Sequence, residues 1–261
     1  EYYKESKMTK IMDNGKVISQ DELSKDIFSV WIKTDIAKDT LPGQFVNVYT
    51  KNPSKLLPRP ISICEVAKDS IRLVYRVTGE DTGTKEFSKL KAGDDIKVLG
   101  PLGNGFPTDS KSSILIGGGI GIPPMLELAK NLEGEKIIVL GFRDSDTFLA
   151  DELKQYGKVF IASEDGSTGT KGNVLDAIRE NNIKADRILA CGPTPMLRAI
   201  KKYASENNIE CFLSLEEKMA CGIGACLACT CNSSEVDSHS NVKNKRVCTE
   251  GPVFNALKVE L

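Results

Sequence analysis

Residues 113–134 read SILIGGGIGIPPMLELAKNLEG, and the fold turns on how this stretch is divided. It reads as a buried strand, a glycine turn and then a helix, with Gly117, Gly118, Gly119 and Gly121 in the turn. Three more segments repeat the alternation: KIIVLGFRDSDTFLADELKQYG (136–157), KVFIASEDGSTGTKGNVLDAIREN (158–181) and ADRILACGPTPMLRAIKKYASENN (185–208). Four strand–helix units in a row predict a parallel sheet with helices on both faces, a Rossmann-like α/β domain. A last strand, ECFLSLEEKM (210–219), closes this series.

Upstream the pattern is different. DIFSVWIKT (26–34), QFVNVYT (44–50), RPISICEV (59–66), SIRLVYRVT (70–78) and DDIKVLG (94–100) are short and rich in β-branched and aromatic residues. The turn signals LPGQ, AKDS and KAGDD separate them, as in an antiparallel β-barrel. A plain β-sandwich with no ligand is the competing reading. The chain therefore divides into a barrel over 1–105, the α/β domain over 106–213 and a cysteine-rich domain over 214–261.

That last part carries the strongest chemical signal. In LEEKMACGIGACLACTC (215–231), four of the chain's eight cysteines fall together, and Cys248 follows in KRVCTEGP. Cys221, Cys226 and Cys229 have the spacing C-x4-C-x2-C, and with Cys248 they match the plant-type [2Fe–2S] pattern of four thiolates on two irons. Gly222, Gly224 and Ala225 leave room for the backbone to wrap a cluster and aim amides at its sulfurs. Two alternatives stay open. A structural zinc site could use Cys226, Cys229 and Cys248, and Cys231 could replace Cys229 as a ligand. Disulfides suit a reducing compartment poorly. Cys64, Cys191 and Cys211 stand alone and read as small packing residues.

Bulk properties narrow the function further. Lys and Arg number 35 against 36 Asp and Glu, so no net basic field attracts nucleic acid or anionic lipid. No apolar run approaches the roughly 20 residues a membrane helix needs. The opening EYYKESKMTKIMDNGKVISQDEL has no apolar signal-peptide core, which makes the cytoplasm the expected compartment. The single histidine, His239, sits in the polar loop NSSEVDSHSNVKNK and supplies no Ser-His or Cys-His unit. The glycine turn suits a pyrophosphate, although Pro124 stands where a third dinucleotide-fingerprint glycine belongs. A merely structural tight turn is the alternative. Cys191, Gly192 and Pro193 end the fourth strand on the same carboxyl edge, where such sheets bind ligands. Past the second strand, Asp144 suits a ribose 2′-hydroxyl and Arg143 a 2′-phosphate.

GGGIGIPPM and CGPTPML, downstream of a barrel carrying RPISI, resemble the ferredoxin–NADP reductase superfamily. The resemblance implies FAD contacts at Arg59, Pro60, Ile61 and Ser62, with Gly83 and Thr84 of GEDTGTKEFSKLKAGD near the pyrophosphate. It also implies a nicotinamide cofactor at Gly117, Gly118, Gly119, Gly121, Cys191, Gly192 and Pro193. With EEKMACGIGACLAC and VCTEGPVF appended, the chain resembles the electron-transfer subunits of type B dihydroorotate dehydrogenases. That family implies NAD as the nicotinamide and an FMN-containing catalytic partner in a heterotetramer of two of each subunit. Electrons then pass from FMN through the cluster and FAD to NAD+ in pyrimidine biosynthesis. Reductase subunits of glutamate synthase, sulfide or sulfite reductases and hydrogenases share the layout and remain the alternative. A zinc-stapled nucleotide-binding regulator is the non-enzyme reading. Ile223, Leu227, Val253 and Phe254 form a candidate docking patch, unless Val253 and Phe254 only pack their own segment down.

Overall fold

The computed structural model describes residues 10–109, 111–236 and 241–261, so His239 lies outside the described residues. Six strands close an antiparallel barrel: β1 (Ile11–Ser24), β2 (Ile27–Lys33), β3 (Phe45–Tyr49), β4 (Arg59–Val66), β5 (Ser70–Arg76) and β6 (Asp95–Leu102). They neighbour one another in the order β1-β2-β5-β4-β3-β6. Val30, Ile32, Val46, Val48, Ile63, Ile71, Leu73 and Val98 fill the interior. The five expected strands are present, and β1 is an additional one. Its sequence, IMDNGKVISQDELS, hides the strand behind charges, because only Gly15 and Val17 are fully buried while Lys16 and Ile18 face out. It pairs with both β2 and β6 and so closes the barrel. A short helix, α1 (Gly83–Phe87), follows β5, capped by the Thr82 hydroxyl accepting from the Lys85 amide.

The second layer is built as the strand–helix alternation predicts. β7 (Ser113–Gly118) leads to α2 (Pro124–Asn131), β8 (Lys136–Phe142) to the single turn α3 (Ala150–Leu153), and β9 (Lys158–Ser163) through the short β10 (Thr170–Lys171) to α4 (Val174–Glu180). β11 (Arg187–Cys191) then precedes α5 (Thr194–Glu206), and β12 (Glu210–Ser214) follows. The cysteine segment contributes a hairpin, β13 (Thr230–Asn232) with β14 (Asn244–Arg246), and a final strand, β15 (Val253–Asn255). The sheet order is β10-β9-β8-β7-β11-β12-β15. Strands β7 to β12 run parallel, whereas β15 returns antiparallel on β12, pairing Leu213 with Phe254.

Two features lock barrel to sheet. Arg72 on β5, almost fully buried, donates to Ser29 Oγ at 2.8 Å and to both carboxylate oxygens of Glu152 on α3, at 2.5 and 3.2 Å. Glu127 on α2 accepts from the Val66 amide at 2.8 Å. A buried charge is tolerated only when paired and hydrogen-bonded, and Arg72 meets both conditions. Among the described residues no helix is long and apolar enough to cross a membrane.

Candidate functional site

The order of the parallel sheet reverses between β7 and β11, since the chain builds outward to β10 and then returns to the other side of β7. A crevice opens at the carboxyl ends of strands at such a switch point. Gly117–Gly121 follow β7 there and Cys191–Pro193 follow β11, with Cys191 directly beside Gly117 in register. The two expected nicotinamide segments are therefore neighbours. Their glycines, however, do different jobs. A Cβ on Gly117 would lie 2.9 Å from Ile122 Cα, one on Gly118 2.5 Å from Met196 Sδ, and one on Gly121 2.4 Å from the Cys191 carbonyl oxygen. Gly192 is filled in the same way by Met196. Only Gly119, in the left-handed region at φ 52°, has no atom within 4 Å of its missing side chain. The chain packs against most of the turn, and Gly119 is the position open to a ligand. Burial pushes the Cys191 thiol up to about 12, which keeps it neutral. Arg143 and Asp144 both lie exposed beyond β8.

On the barrel, Arg59, Pro60, Ile61 and Ser62 start β4 and are only half-buried, unlike the sealed β3 beside them. Gly83 is packed onto Arg59: a Cβ there would lie 2.8 Å from the guanidinium Nε. Thr84 joins the same corner, its hydroxyl 3.1 Å from that of Thr82. Arg59 also donates to the Leu57 carbonyl at 2.6 Å. The buried Gly83 and Thr84 thus back the half-buried start of β4, where Arg59 carries a guanidinium suited to an anionic oxygen.

The cysteine loop is built for sulfur ligation. Gly222 and Gly224 are both left-handed, at φ 71° and 85°. Their turns let the amides of Ile223 and Cys226 each donate to Cys221 Sγ at 3.4 Å. Burial raises the Cys221 thiol, but these amides outweigh it and draw it down to about 6, favouring thiolate. The four cysteines fall into two pairs linked by amide-to-sulfur bonds, Cys221 with Cys226 and Cys229 with Cys248. The Cys248 amide donates to Cys229 Sγ at 3.4 Å. Two pairs of thiols, wrapped by amides, fit a two-iron cluster with two thiolates per iron. No group of three or more His, Cys, Asp or Glu among the described residues converges on a single ion. Cys231 is buried in β13, where desolvation pushes its thiol up to about 11. Cys64 and Cys211 are buried, as expected of packing residues.

Two polar residues outside the motifs complete the loop. Asn47 on β3 lies opposite Pro60 of β4, and its Nδ2 donates to the Cys221 carbonyl at 3.1 Å across 174 positions of sequence. Thr249 packs over Gly224. Asn47 Oδ1 and Thr249 Oγ1 are the two buried side-chain oxygens or nitrogens without a partner among the described residues. Neither residue stands in a recognisable pattern, and only the three-dimensional meeting of β3 with the loop reveals Asn47. The docking patch is smaller than its sequence reading. Val253 and Phe254 are 4% and 7% exposed because β15 packs into the sheet, whereas Ile223 and Leu227 are 48% and 56% exposed. Leu227 also holds a left-handed backbone at φ 59°, which a leucine adopts only at a cost of about 1–2 kcal/mol.

Comparison with known proteins agrees with this geometry. Residues 216–260 match the family described as the iron-sulfur cluster binding domain of dihydroorotate dehydrogenase B, and residues 115–202 match the oxidoreductase NAD-binding domain. The chain is 44% identical to the dihydroorotate dehydrogenase B (NAD(+)) electron transfer subunit of Bacillus velezensis, covering 94% of this chain and 97% of that one. It is 42% identical to the subunit of the same name from Fusobacterium nucleatum, over 92% and 95%. Among solved structures, an NADH-dependent reduced ferredoxin–NADP oxidoreductase superposes with a TM-score of 0.84 at 29% identity, covering 95% of this chain and 90% of that one. A Neisseria gonorrhoeae ferredoxin–NADP+ reductase solved with FAD and NADP shares the fold at a TM-score of 0.63 and 14% identity, over 75% and 91%. Whole-length identity of this order, joined to a paired-thiol loop on a reductase fold, decides the matter: the chain belongs to the family of dihydroorotate dehydrogenase B (NAD(+)) electron transfer subunits.

Proposed function

We propose that the chain carries electrons between a catalytic subunit docked at its cysteine loop and NAD bound in the crevice between β7 and β11. The observation that carries the reading is Asn47. One buried side chain sits opposite Pro60 of the half-open β4 and donates to the carbonyl of Cys221, so the flavin strand and the cysteine loop meet at a single residue.

Cys221, Cys226, Cys229 and Cys248 hold a [2Fe–2S] cluster; Arg59, Pro60, Ile61, Ser62, Gly83 and Thr84 hold FAD. Gly117, Gly118, Gly119, Gly121, Cys191, Gly192 and Pro193 form the NAD site, with Gly119 nearest the ligand because its side-chain space is free. When bound, the flavin exchanges a hydride with nicotinamide and single electrons with the cluster, which makes it the converter between the two. The protein's own part is positional. Amides fix and ionise Cys221, Gly83 gives Arg59 its place, and the Arg72–Glu152 pair keeps barrel and sheet in one register. In this reading residues 1–105 are the FAD domain, 106–213 the NAD domain and 214–261 the cluster domain, working in the cytoplasm. The partner is the FMN-containing dihydroorotate dehydrogenase subunit, two of each in the assembly, and Ile223 and Leu227 face it.

The isolated chain is expected to reduce artificial dyes with NADH and to leave dihydroorotate untouched. Adding the FMN subunit should give dihydroorotate-dependent NAD+ reduction, which Ile223→Glu or Leu227→Glu should block without affecting dye reduction. Dihydroorotate oxidation by this chain alone would sink the relay. Coupling to reduced ferredoxin in place of dihydroorotate would instead favour the reaction class of the structural neighbour.

A further inference from the structure

Thr249 immediately follows Cys248, and its hydroxyl oxygen is sealed from solvent with no partner among the described residues. A hydroxyl usually avoids that state, because burying an unpaired donor forfeits its bonds to water. The Arg246 carbonyl, three residues back in the turn, already accepts from the amides of Thr249 and Glu250, at 3.1 and 2.8 Å. The side chain lies instead over the cysteine loop. A Cβ on Gly224 would come 2.8 Å from Thr249 Cγ2 and 3.4 Å from its Oγ1. The hydroxyl therefore sits between the glycine turn that follows Cys221 and the backbone next to Cys248. If the position served only to pack against Gly224, valine would fill the same shape without burying an unpaired donor.

We propose that the Thr249 hydroxyl donates a hydrogen bond to a sulfur of the iron–sulfur cluster and so raises the cluster's reduction potential. The inference rests on the cluster reading of the cysteine loop. Its physical basis is electrostatic. The reduced cluster carries one more negative charge than the oxidised one, and a donor aimed at its sulfur stabilises the reduced form more. Thr249 thereby contacts the cofactor directly, whereas Asn47 acts on it through the Cys221 backbone.

Thr249→Val keeps the side chain's shape and deletes the donor; Thr249→Ala deletes both, and Thr249→Ser keeps the donor. In the cluster-loaded chain, an EPR-monitored redox titration should place the midpoints of the Val and Ala variants below wild type, with the Ser variant at wild type. After exchange into deuterium oxide, electron–nuclear double resonance on the reduced cluster should show one exchangeable coupling fewer in the Val and Ala variants. A midpoint that does not move in either variant, or a coupling that survives in both, overturns the contact while the cluster itself stands. A wild-type chain without [2Fe–2S] absorption or EPR signal overturns the cluster reading and this inference together.

Discussion

The two glycine-rich turns of this protein look alike as sequence and are filled in opposite ways. In the turn after β7, the space left by Gly117 and Gly121 is taken by the chain itself: Ile122 Cα for one, the Cys191 carbonyl for the other. In the cysteine loop, the space left by Gly222 and Gly224 is taken by Asn47 and Thr249, each carrying a buried oxygen without a partner among the described residues. Backbone makes much of the wall around the first turn, with Met196 beside Gly118, whereas polar side chains with capacity to spare form the lining of the second. Glycine count alone does not separate the two; the neighbour does.

The sharpest way to break the comparison is Gly121→Ala. Its Cβ would meet the Cys191 oxygen at 2.4 Å and the Gly192 nitrogen at 2.6 Å, both backbone atoms that cannot swing aside. A loss of roughly 3 kcal/mol is expected, about 10 °C in Tm for a chain of this size, read by thermal melting. A wild-type melt would mean the wall is soft. Arg59→Ala should leave the melt and the iron content nearly unchanged and weaken flavin retention about ten- to a hundredfold, the size of a lost charge-assisted contact. Flavin held on dilution as tightly as in wild type would remove Arg59 from the site.

Gly222→Ala probes the other lining. Here the obstacle is Asn47 Nδ2 at 2.3 Å, the far end of a side chain, together with a left-handed φ of 71°. The expected cost is about 1–2 kcal/mol, confined to the loop and seen as loss of iron with the main melting transition intact. Asn47→Ala should relieve the steric part, so the double variant should retain more iron than the two single losses predict when added. Strict additivity would show that the loop does not lean on Asn47.

The smallest effect expected lies at the opposite end of the sheet. Arg187, at the start of β11, donates to Asp109 at 2.5 Å and to Glu210 at 2.8 Å. That hydrogen bond holds the Asp109 carboxyl below its ordinary range. A depressed native pKa gives stability that is complete above the unfolded value near 3.9 and is lost as pH falls through the native one. Asp109→Ala should therefore cost under about 1 kcal/mol at neutral pH, since Asp109 is largely exposed. The gap in urea midpoint from wild type should start to narrow as pH falls below about 4 and close only below the depressed native value. A gap that persisted in acid would assign the effect to something other than this charge.

What could be read in advance was what local sequence encodes. Strand, glycine turn and helix follow from hydrophobic period, so β7, β8, β9, β11, β12 and their shared carboxyl edge are legible, as is the C-x4-C-x2-C spacing, whereas the two-residue β10 is not. The rest depends on contacts remote in sequence. β1 was missed because its outward face carries Lys16 and Ile18 alike, blurring the alternation that Gly15 and Val17 keep on the inside. Met196 gave no sign that it would fill the space beside Gly118 and Gly192. Asn47 is an unremarked polar residue in a strand until Cys221 arrives beside it. Sequence sets 214–261 apart as a cysteine-rich domain, yet β15 belongs to the α/β sheet.

That last strand sets an order on biosynthesis. β12 is an exposed edge, with unpaired amides and carbonyls on one side, until Val253–Asn255 leave the ribosome and lie down on it. An open strand edge is a template for pairing with another chain, so the nascent protein is most prone to aggregate in the interval between making β12 and making β15. The cysteine loop is synthesised inside that interval. A chain ending before Val253 should thus give a lower yield of unaggregated protein.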